Sequence, residues 1–323
     1  MWAVVALLGF VVTTWVVGVS WFAWLAAFHD GLAVVLIEAW IVAGYAVAVR
    51  EWILAAAAGA LIAAQLVIII PRLFSARLPE WIAQAPRLVV VGANVFVGNR
   101  HPEVTASGLL ATDADVIVIT EYNDAFMRGF ASVGGTVAYP QRIDEPSDRP
   151  DYATSIAARV PLSKGPDVVR TSTLSLVWGV VRCGGRDVSI VGVHLVALTG
   201  RNGFGAWRNE LRELERLFSE IPKPFVVVGD FNATQFRPAF ARLVRANGMR
   251  LAHDTLGRGL TGSLKLAGRG ALSRVPALGR VDHALFSGDV FPVRVENRPA
   301  AGSDHRPFRV TFAVRPDSES DAR

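Results

Sequence analysis

Five places in this sequence run an apolar, strand-like stretch straight into residues able to hold a hard cation or move a proton. They are Val89-Val90-Val91-Gly92-Ala93-Asn94, Val116-Ile117-Val118-Ile119-Thr120-Glu121, Val191-Gly192-Val193-His194, Val226-Val227-Val228-Gly229-Asp230-Phe231-Asn232, and the pair Val281-Asp282 with Ser303-Asp304-His305. Carboxylates and amides with no thiol among them suit Mg²⁺, with Mn²⁺ as a substitute. Two histidines suit proton transfer or phosphate contact near neutral pH. Polar groups at the ends of buried strands are costly unless they are partnered or do chemistry.

In Gly229-Asp230-Phe231-Asn232, a strand ending in Asp with Asn two residues on points both side chains the same way. One can orient a water while the other binds a metal or a phosphate oxygen; the same residue types also build turns. Asp282 opens one strand and Ser303-Asp304-His305 precedes another, so Asp282 can fix the tautomer of His305. His283, one residue further along, should face the opposite way, toward structure. Glu121 is the natural metal carboxylate, Asn94 and the loop residue Asn99 are amides, and His194 closes an alternating strand. Singly, each has an ordinary explanation as a turn, an exposed strand end or a packed imidazole. Five in order along one chain do not.

These residues need a scaffold of many strands. Strand-like runs occupy 87–94, 115–120, 152–158, 174–182, 187–194, 225–229, 281–287, 290–296 and 308–314. Helical patterns are fewer, at 102–111, 124–132, 205–219 and 238–247. In 205–219, Trp207, Leu211, Leu214, Leu217 and Phe218 recur at helical spacing. Runs 174–182 and 187–194 form a hairpin over Cys183-Gly184-Gly185-Arg186, and 256–280 is a long loop rich in Gly, Arg and Leu. The expectation is an α/β domain with two packed mixed sheets.

The chain changes character near residue 71. Residues 2–28 and 52–70 carry no charged side chain and 31–49 carry only Glu38, so three transmembrane helices are expected. Glu38 would lie within the second span, protonated or paired with a neighbour such as Gln65. This divides the 323 residues into an anchor (1–70), a juxtamembrane linker (71–86), a catalytic domain (87–315) and a disordered tail (316–323). Leu78, Trp81 and Ile82 would let part of the linker lie on the membrane. Beyond residue 70 stand 32 basic against 25 acidic residues, a net +7 that favours anionic partners. Cys183 is the only cysteine, which excludes an intrachain disulfide and a cysteine-based zinc site.

Asn94, Glu121, His194, Asp230 with Asn232, and Asp304 with His305 together resemble the endonuclease/exonuclease/phosphatase superfamily over about residues 87–314. The resemblance implies a four-layer α/β/β/α sandwich with the site at one edge of both sheets. It implies that Glu121 holds Mg²⁺, that Asn94 positions metal or phosphate, and that Asp304 supports the metal or the leaving group. Asp230 would orient or deprotonate the attacking water, Asn232 would contact the scissile phosphate, Asp282 would orient His305, and His194 would stabilise the pentacovalent phosphate. The run Tyr152-Ala153-Thr154-Ser155-Ile156-Ala157-Ala158-Arg159-Val160-Pro161-Leu162 resembles the family's central strand, which usually ends in Ser-Arg-x-Pro; Ala158 stands in the place of that Ser.

No long insertion of the kind that grips a DNA duplex is visible. The expected anchor resembles a membrane-anchored bacterial branch that includes teicoplanin-resistance phosphatases, thought to act on phosphorylated lipid carriers outside the cytoplasm. The expectation is therefore a multi-pass, Mg²⁺-dependent phosphoesterase with an extracytoplasmic domain, acting on a phosphorylated small molecule or lipid carrier among membrane lipids. Asn99, Arg201 and Arg280 are candidate substrate contacts, with Arg258, Lys265, Arg269 and Arg274 in the same rim loops. The alternatives are a nuclease cleaving DNA or RNA and, from another class, an inactive phospho-ligand-binding module. No obligate protein partner is expected.

Overall fold

The computed structural model describes residues 32–145, 153–167, 173–198, 203–265, 277, 279–299 and 302–316. Its strands are β1 (Arg87–Asn94), β2 (Val116–Thr120), β3 (Gln141–Glu145), β4 (Thr154–Ala158), β5 (Leu162–Lys164), β6 (Ser175–Cys183), β7 (Arg186–His194), β8 (Phe225–Asp230), β9 (Arg250–Leu251), β10 (Asp282–Phe286), β11 (Val290–Asn297) and β12 (Phe308–Val314). Its helices are α1 (Leu32–Ala48), α2 (Trp52–Ile69), α3 (Pro102–Leu110), α4 (Asp124–Ser132), α5 (Gly135–Ala138), α6 (Gly203–Phe218), α7 (Pro238–Ala246) and α8 (Ala252–Thr255).

Two six-stranded sheets, β11-β12-β1-β2-β4-β3 and β5-β6-β7-β8-β10-β9, stack face to face. Each is mixed: β1 and β2 run parallel in one and β7 and β8 in the other, with antiparallel neighbours around them. Alternation along the strands sorts the apolar side chains. Leu88, Val90, Val116, Val118, Ile190, Val226, Val228, Ala284, Phe286, Phe308 and Phe312 fill the space between the sheets. The opposite parity of the first sheet, Val91, Ala93, Ile117 and Ile119, packs under α3 and α4 through Leu109, Phe126 and Phe130. In the second sheet Val191, Val193, Val227 and Leu285 pack under α6 and α7 through Trp207, Leu214 and Phe240. Full burial of each large side chain stabilises by about 1.5–3 kcal/mol. The four anticipated helices, the nine anticipated strands and the 183–186 hairpin are present. The short strands β3, β5 and β9 were not anticipated, because two to five residues carry too little periodicity to register.

The membrane expectation needs correction. Among the described residues one helix, Trp52–Leu73, is long and apolar enough to cross a membrane, against the three spans expected. The first expected span lies outside the described residues, as does the side chain of Glu38. The second is α1, whose 17 residues extend about 26 Å, short of a ~30 Å hydrocarbon core.

Residues 71–86 are not a free linker. They form two 3₁₀ turns, Ile70–Leu73 and Glu80–Gln84, and lie along the domain as a strap. Arg72 Nε donates to Asp254 Oδ2 at 2.9 Å, Gly259 N donates to Arg72 O at 3.1 Å, and Ala76 N donates to Thr255 O at 2.7 Å. Ile82 is buried in the inter-sheet core and Trp81 packs against it, so neither is a membrane-surface residue. The tail from 317 lies outside the described residues.

Gly229 permits the closest backbone approach in the second sheet. Its φ is +153°, and a Cβ there would meet Val193 O at 1.8 Å. Gly229→Ala is expected to lower stability by about 3 kcal/mol or more, read as a shift in the urea midpoint.

Candidate active site

Strand parity and strand direction together deliver the polar residues to one place. Continuing the inward alternation of Val90, Ile190, Val228 and Ala284 to the strand ends puts Asn94, His194, Asp230 and Asp282 between the sheets. Parallel pairing sets Asn94 beside Thr120 and His194 beside Asp230. Strand β10 runs antiparallel to β8 and begins at the same edge, with Asp282 opposite Asp230. Strand β12 runs antiparallel to β1 with Phe308 opposite Gly92, so residues 303–307 arrive there too. Glu121 should point outward, being one residue past the inward Thr120. Its left-handed backbone, φ +57°, breaks the alternation and turns the carboxylate back onto Asn94. Asn232, two residues past inward Asp230, also has a left-handed backbone, φ +48°.

The Asn94 amide bridges two acids, donating from Nδ2 to Glu121 Oε1 at 2.7 Å and to Asp230 Oδ2 at 3.1 Å. Asp230 Oδ1 accepts from Asn232 N at 2.8 Å, and Glu121 Oε2 accepts from Val97 N at 3.3 Å. Asp282 Oδ2 lies 2.7 Å from His305 Nδ1, and Asp230 Oδ2 lies 3.8 Å from that nitrogen. His194 Nε2 stands 3.7 Å from Glu121 Oε1 and 3.9 Å from Asp230 Oδ2. Burial, then the Asp282 charge, pushes Asp230 up to about 6. Burial also raises Glu121. Burial disfavours a charged His305 ring, yet the Asp282 and Asp230 carboxylates outweigh it and push that ring up to about 10. Burial opposes ionisation of Asp282 as well, but the neighbouring His305 holds its carboxyl below the ordinary value. The resting site therefore holds an imidazolium against a carboxylate, with a second carboxyl poised near neutrality.

The oxygen-rich donor set fits a divalent cation. Glu121, His194 and Asp230 offer ligand atoms all within 4.8 Å of one another. Asp304 Oδ1 is buried with no hydrogen-bond partner among the described residues, and the charge of Asp304 is felt at Glu121. Asn94, expected as a ligand, instead turns its N–H groups to the carboxylates while its Oδ1 accepts from Phe96 N at 2.9 Å. In this arrangement it orders the acids.

Two residues expected as substrate contacts make structural bonds. Asn99 builds its own loop: Nδ2 donates to Val95 O and Thr105 Oγ1, and Oδ1 accepts from His101 N. Arg280 is buried, pairing with Asp254 Oδ1 at 2.6 Å and donating to Arg258 O at 3.1 Å. No rim contact is open to a guanidinium so enclosed. Arg201, Arg269 and Arg274 lie outside the described residues. His283 faces outward as expected, between the Phe231 and Phe240 rings.

Two serines have roles that the sequence reading did not assign. The Ser263 hydroxyl accepts from Val281 N and Asp282 N, and it donates to the Asp282 carboxylate. The Ser303 hydroxyl donates to Asn94 O and accepts from His305 N, fastening the His305 loop to β1. The position of Ser303 beside Asp304-His305 was a usable signal; Ser263 had none.

The sequence model described as the Endonuclease/Exonuclease/phosphatase family matches residues 75–305. Similar solved structures include D. rerio TDP2 complexed with single strand DNA product, at 16% identity and TM-score 0.56, covering 71% of this chain and 99% of that one. The endonuclease/exonuclease/phosphatase from Beutenbergia cavernae DSM 12333 is also 16% identical, at TM-score 0.54, covering 71% and 72%. A Bacteroides thetaiotaomicron family protein is 15% identical, at TM-score 0.55, covering 72% and 99%. At these identities the likeness is one of fold. No curated protein matches the sequence.

His283 makes the fold sensitive to acid. Its Nδ1 accepts from Arg280 Nε at 3.3 Å and its Nε2 donates to Ala233 O at 2.8 Å, a pattern only the neutral ring can make. Burial, then the Arg280 charge, holds it down to about 3 from 6.5. Between those values the unfolded chain binds the proton and the fold does not, so stability falls as pH drops from 6.5 toward 3. The slope from this ring is up to about 1.4 kcal/mol per pH unit. His283→Gln is expected to flatten the dependence of the urea midpoint on pH across that window.

Proposed function

The chain belongs to the endonuclease/exonuclease/phosphatase family, and from that premise we propose that it is a membrane-anchored phosphoesterase using Mg²⁺ to direct water at phosphorus. Members of this family are divalent-metal-dependent hydrolases of phosphodiester bonds. The observation that carries the reading is the convergence of Glu121, His194, Asp230, Asp282 and His305 from five separate strand ends into two overlapping clusters. Glu121 and Asp230, with Asp304 beside them, would hold the cation, which when bound supplies charge for the oxygens of the phosphoryl group.

The protein's own groups divide the remaining work. Asp230, ionised at neutral pH but not strongly acidic, orients a water and takes its proton. His305, kept protonated by Asp282, donates to a non-bridging oxygen as negative charge builds there. The Asn232 amide, which donates to Leu195 O at 2.7 Å and lies 3.5 Å from His194 Nε2, stands with that ring where a second phosphoryl oxygen would sit. Asp304 supports the departing group.

Anchoring rests on Trp52–Leu73. Only 22% of its apolar window is buried, unlike the core helix of a soluble protein, and Trp52, Ile53 and Val67 face outward. Placement outside the cytoplasm, and a phosphorylated lipid carrier as substrate, belong to the same proposal. Alkaline phosphatase and green fluorescent protein fused in turn at Arg323 report the side. The rival reading is nucleic-acid cleavage, suggested by the relative complexed with single strand DNA product. Nicking of plasmid DNA by the purified chain, without phosphate release from a polyprenyl diphosphate, would favour that rival.

Asp230→Ala is expected to lower turnover by about 10³ or more with the fold intact by circular dichroism; near-native turnover would remove Asp230 from the centre. The pH profile of kcat/KM should rise through an apparent pKa at or below about 6, since a bound cation would offset part of the rise at Asp230, and fall toward about 10 as His305 loses its proton. Asp282→Asn removes the charge that keeps His305 protonated, so the alkaline limb should move to lower pH. A limb that stays in place would argue against His305 as the donor.

A further inference from the structure

The strap that follows the apolar helix reaches the domain at the active-site edge. Arg72, one residue before that helix ends, pairs with Asp254 at 2.9 Å. Asp254 pairs with Arg280 at 2.6 Å, and Arg280 lies two residues before Asp282. A second path runs through residues 256–265. Gly259 N donates to Arg72 O, Leu264 bridges to His305, and Lys265 N donates to Asp304 O at 2.9 Å. Lys265 is the sixth residue after Gly259, so the two contacts lie within about 20 Å of each other even were the chain fully extended.

The outward side of this junction is apolar. Ile70 is 46% exposed, Leu73 46%, Phe74 67%, Leu78 52% and Leu260 51%, with the exposed cations Arg77 and Arg258 among them. These side chains extend the exposed apolar surface of the helix onto the domain itself. The first four belong to the helix and strap, but Leu260 belongs to the loop that reaches His305. Apolar side chains interleaved with arginines match the boundary between acyl chains and anionic head groups.

We propose that residues 73–78 and 256–265 form one lipid-docking surface that seats the active-site edge at the head groups of the leaflet from which Trp52–Leu73 emerges. The substrate class this selects is a phosphoester whose apolar portion stays in the bilayer, met without leaving the membrane. This rests on the membrane-anchored phosphoesterase reading above and adds to it the face that docks and the depth of the site.

The full chain carrying Cys183→Ala, reconstituted in phosphatidylcholine vesicles doped with phosphatidic acid, receives a single bimane label at Val67→Cys, Leu260→Cys or Val137→Cys. Val137 lies on α5, beside the start of β2 at the opposite edge of the first sheet, and is 84% exposed. Brominated lipid should quench the label at positions 67 and 260 and leave 137 bright. Quenching at 67 alone overturns the docking surface and leaves the anchor standing. No quenching at 67 removes the anchor and the docking surface with it.

A second arm reads turnover. Phe74→Glu with Leu260→Glu should slow hydrolysis of vesicle-borne phosphatidic acid about tenfold or more and spare water-soluble p-nitrophenyl phosphate. Equal loss on both, or on neither, overturns the proposal. If the native chain turns over neither probe, the phosphoesterase reading loses its support, while the quenching pattern still decides the docking surface.

Discussion

Three carboxyl groups and two imidazoles held within a few ångströms, mostly out of water, are the constraint on which the rest of this structure depends. Asp230 and Asp282 have almost no exposed side chain, and Glu121 has little. An unpaired buried ion costs several kcal/mol, and like charges in such surroundings repel strongly. The site offsets this with groups from distant parts of the chain. The Asn94 amide lies across the gap between Glu121 and Asp230, and the backbone N–H groups of Asn232 and Val97 take one oxygen each. His305 neutralises Asp282. A charge-assisted hydrogen bond contributes about 1.5–3 kcal/mol. The offset is partial: Asp230 remains raised toward neutrality, which suits it to the base role proposed for it.

Holding such a cluster requires rigid elements that approach from several directions. Parallel pairs β1/β2 and β7/β8 send their ends to the same edge, and antiparallel β10 and β12 begin there. The backbone adopts left-handed geometry at Glu121 and Asn232, neither of them glycine, at a cost of order 1–3 kcal/mol each. That local cost is sustained by the inter-sheet core immediately behind, where Phe308 and Val228 pack so closely over Gly92 that a Cβ there would lie 2.6–2.7 Å from them. Moving one strand would disturb both the core and the spacing of the acids.

What the sequence made legible follows from this arrangement. Alternation in β1, β7, β8 and β10 tells which side chains face inward, and a polar residue at the inward position of a strand end stands out in an apolar run. Asn94, His194, Asp230 and Asp282 were found by that signal, His305 by the Ser303-Asp304-His305 run ahead of β12, and His283 was set aside by the opposite parity. Other features had no local signature. The turn that brings Glu121 inward lies in its backbone angle. The direction of the Asn94 amide is set by Phe96 N on one side and two carboxylates on the other. Arg280 sat in a loop rich in arginine and looked like its neighbours, but its partner, Asp254, lies 26 residues away and is itself held by Arg72, a further 182 residues distant. Burial by partners remote in sequence leaves no periodic trace.

The Arg72–Asp254–Arg280 node also changes how the two halves of the chain relate. Composition divides them near residue 71 and suggests a tether between independent parts. Arg280, with only 1% of its side chain exposed, is surrounded by Asp254 and the carbonyls of Arg258 and Thr261, and Asp254 is shared with Arg72. Pulling the helix end away would leave Asp254 with one cation in place of two, and it would free the backbone groups of residues 72–76 that now pair with 255–259. Arg280 also donates to His283, adjacent to Asp282. Helix end, strap and the strand carrying the His305 partner are therefore one packed unit. Swinging the helix end away would have to break the Arg72–Asp254 pair and these backbone hydrogen bonds together, and that cost holds the edge carrying the acids in a fixed relation to the apolar helix.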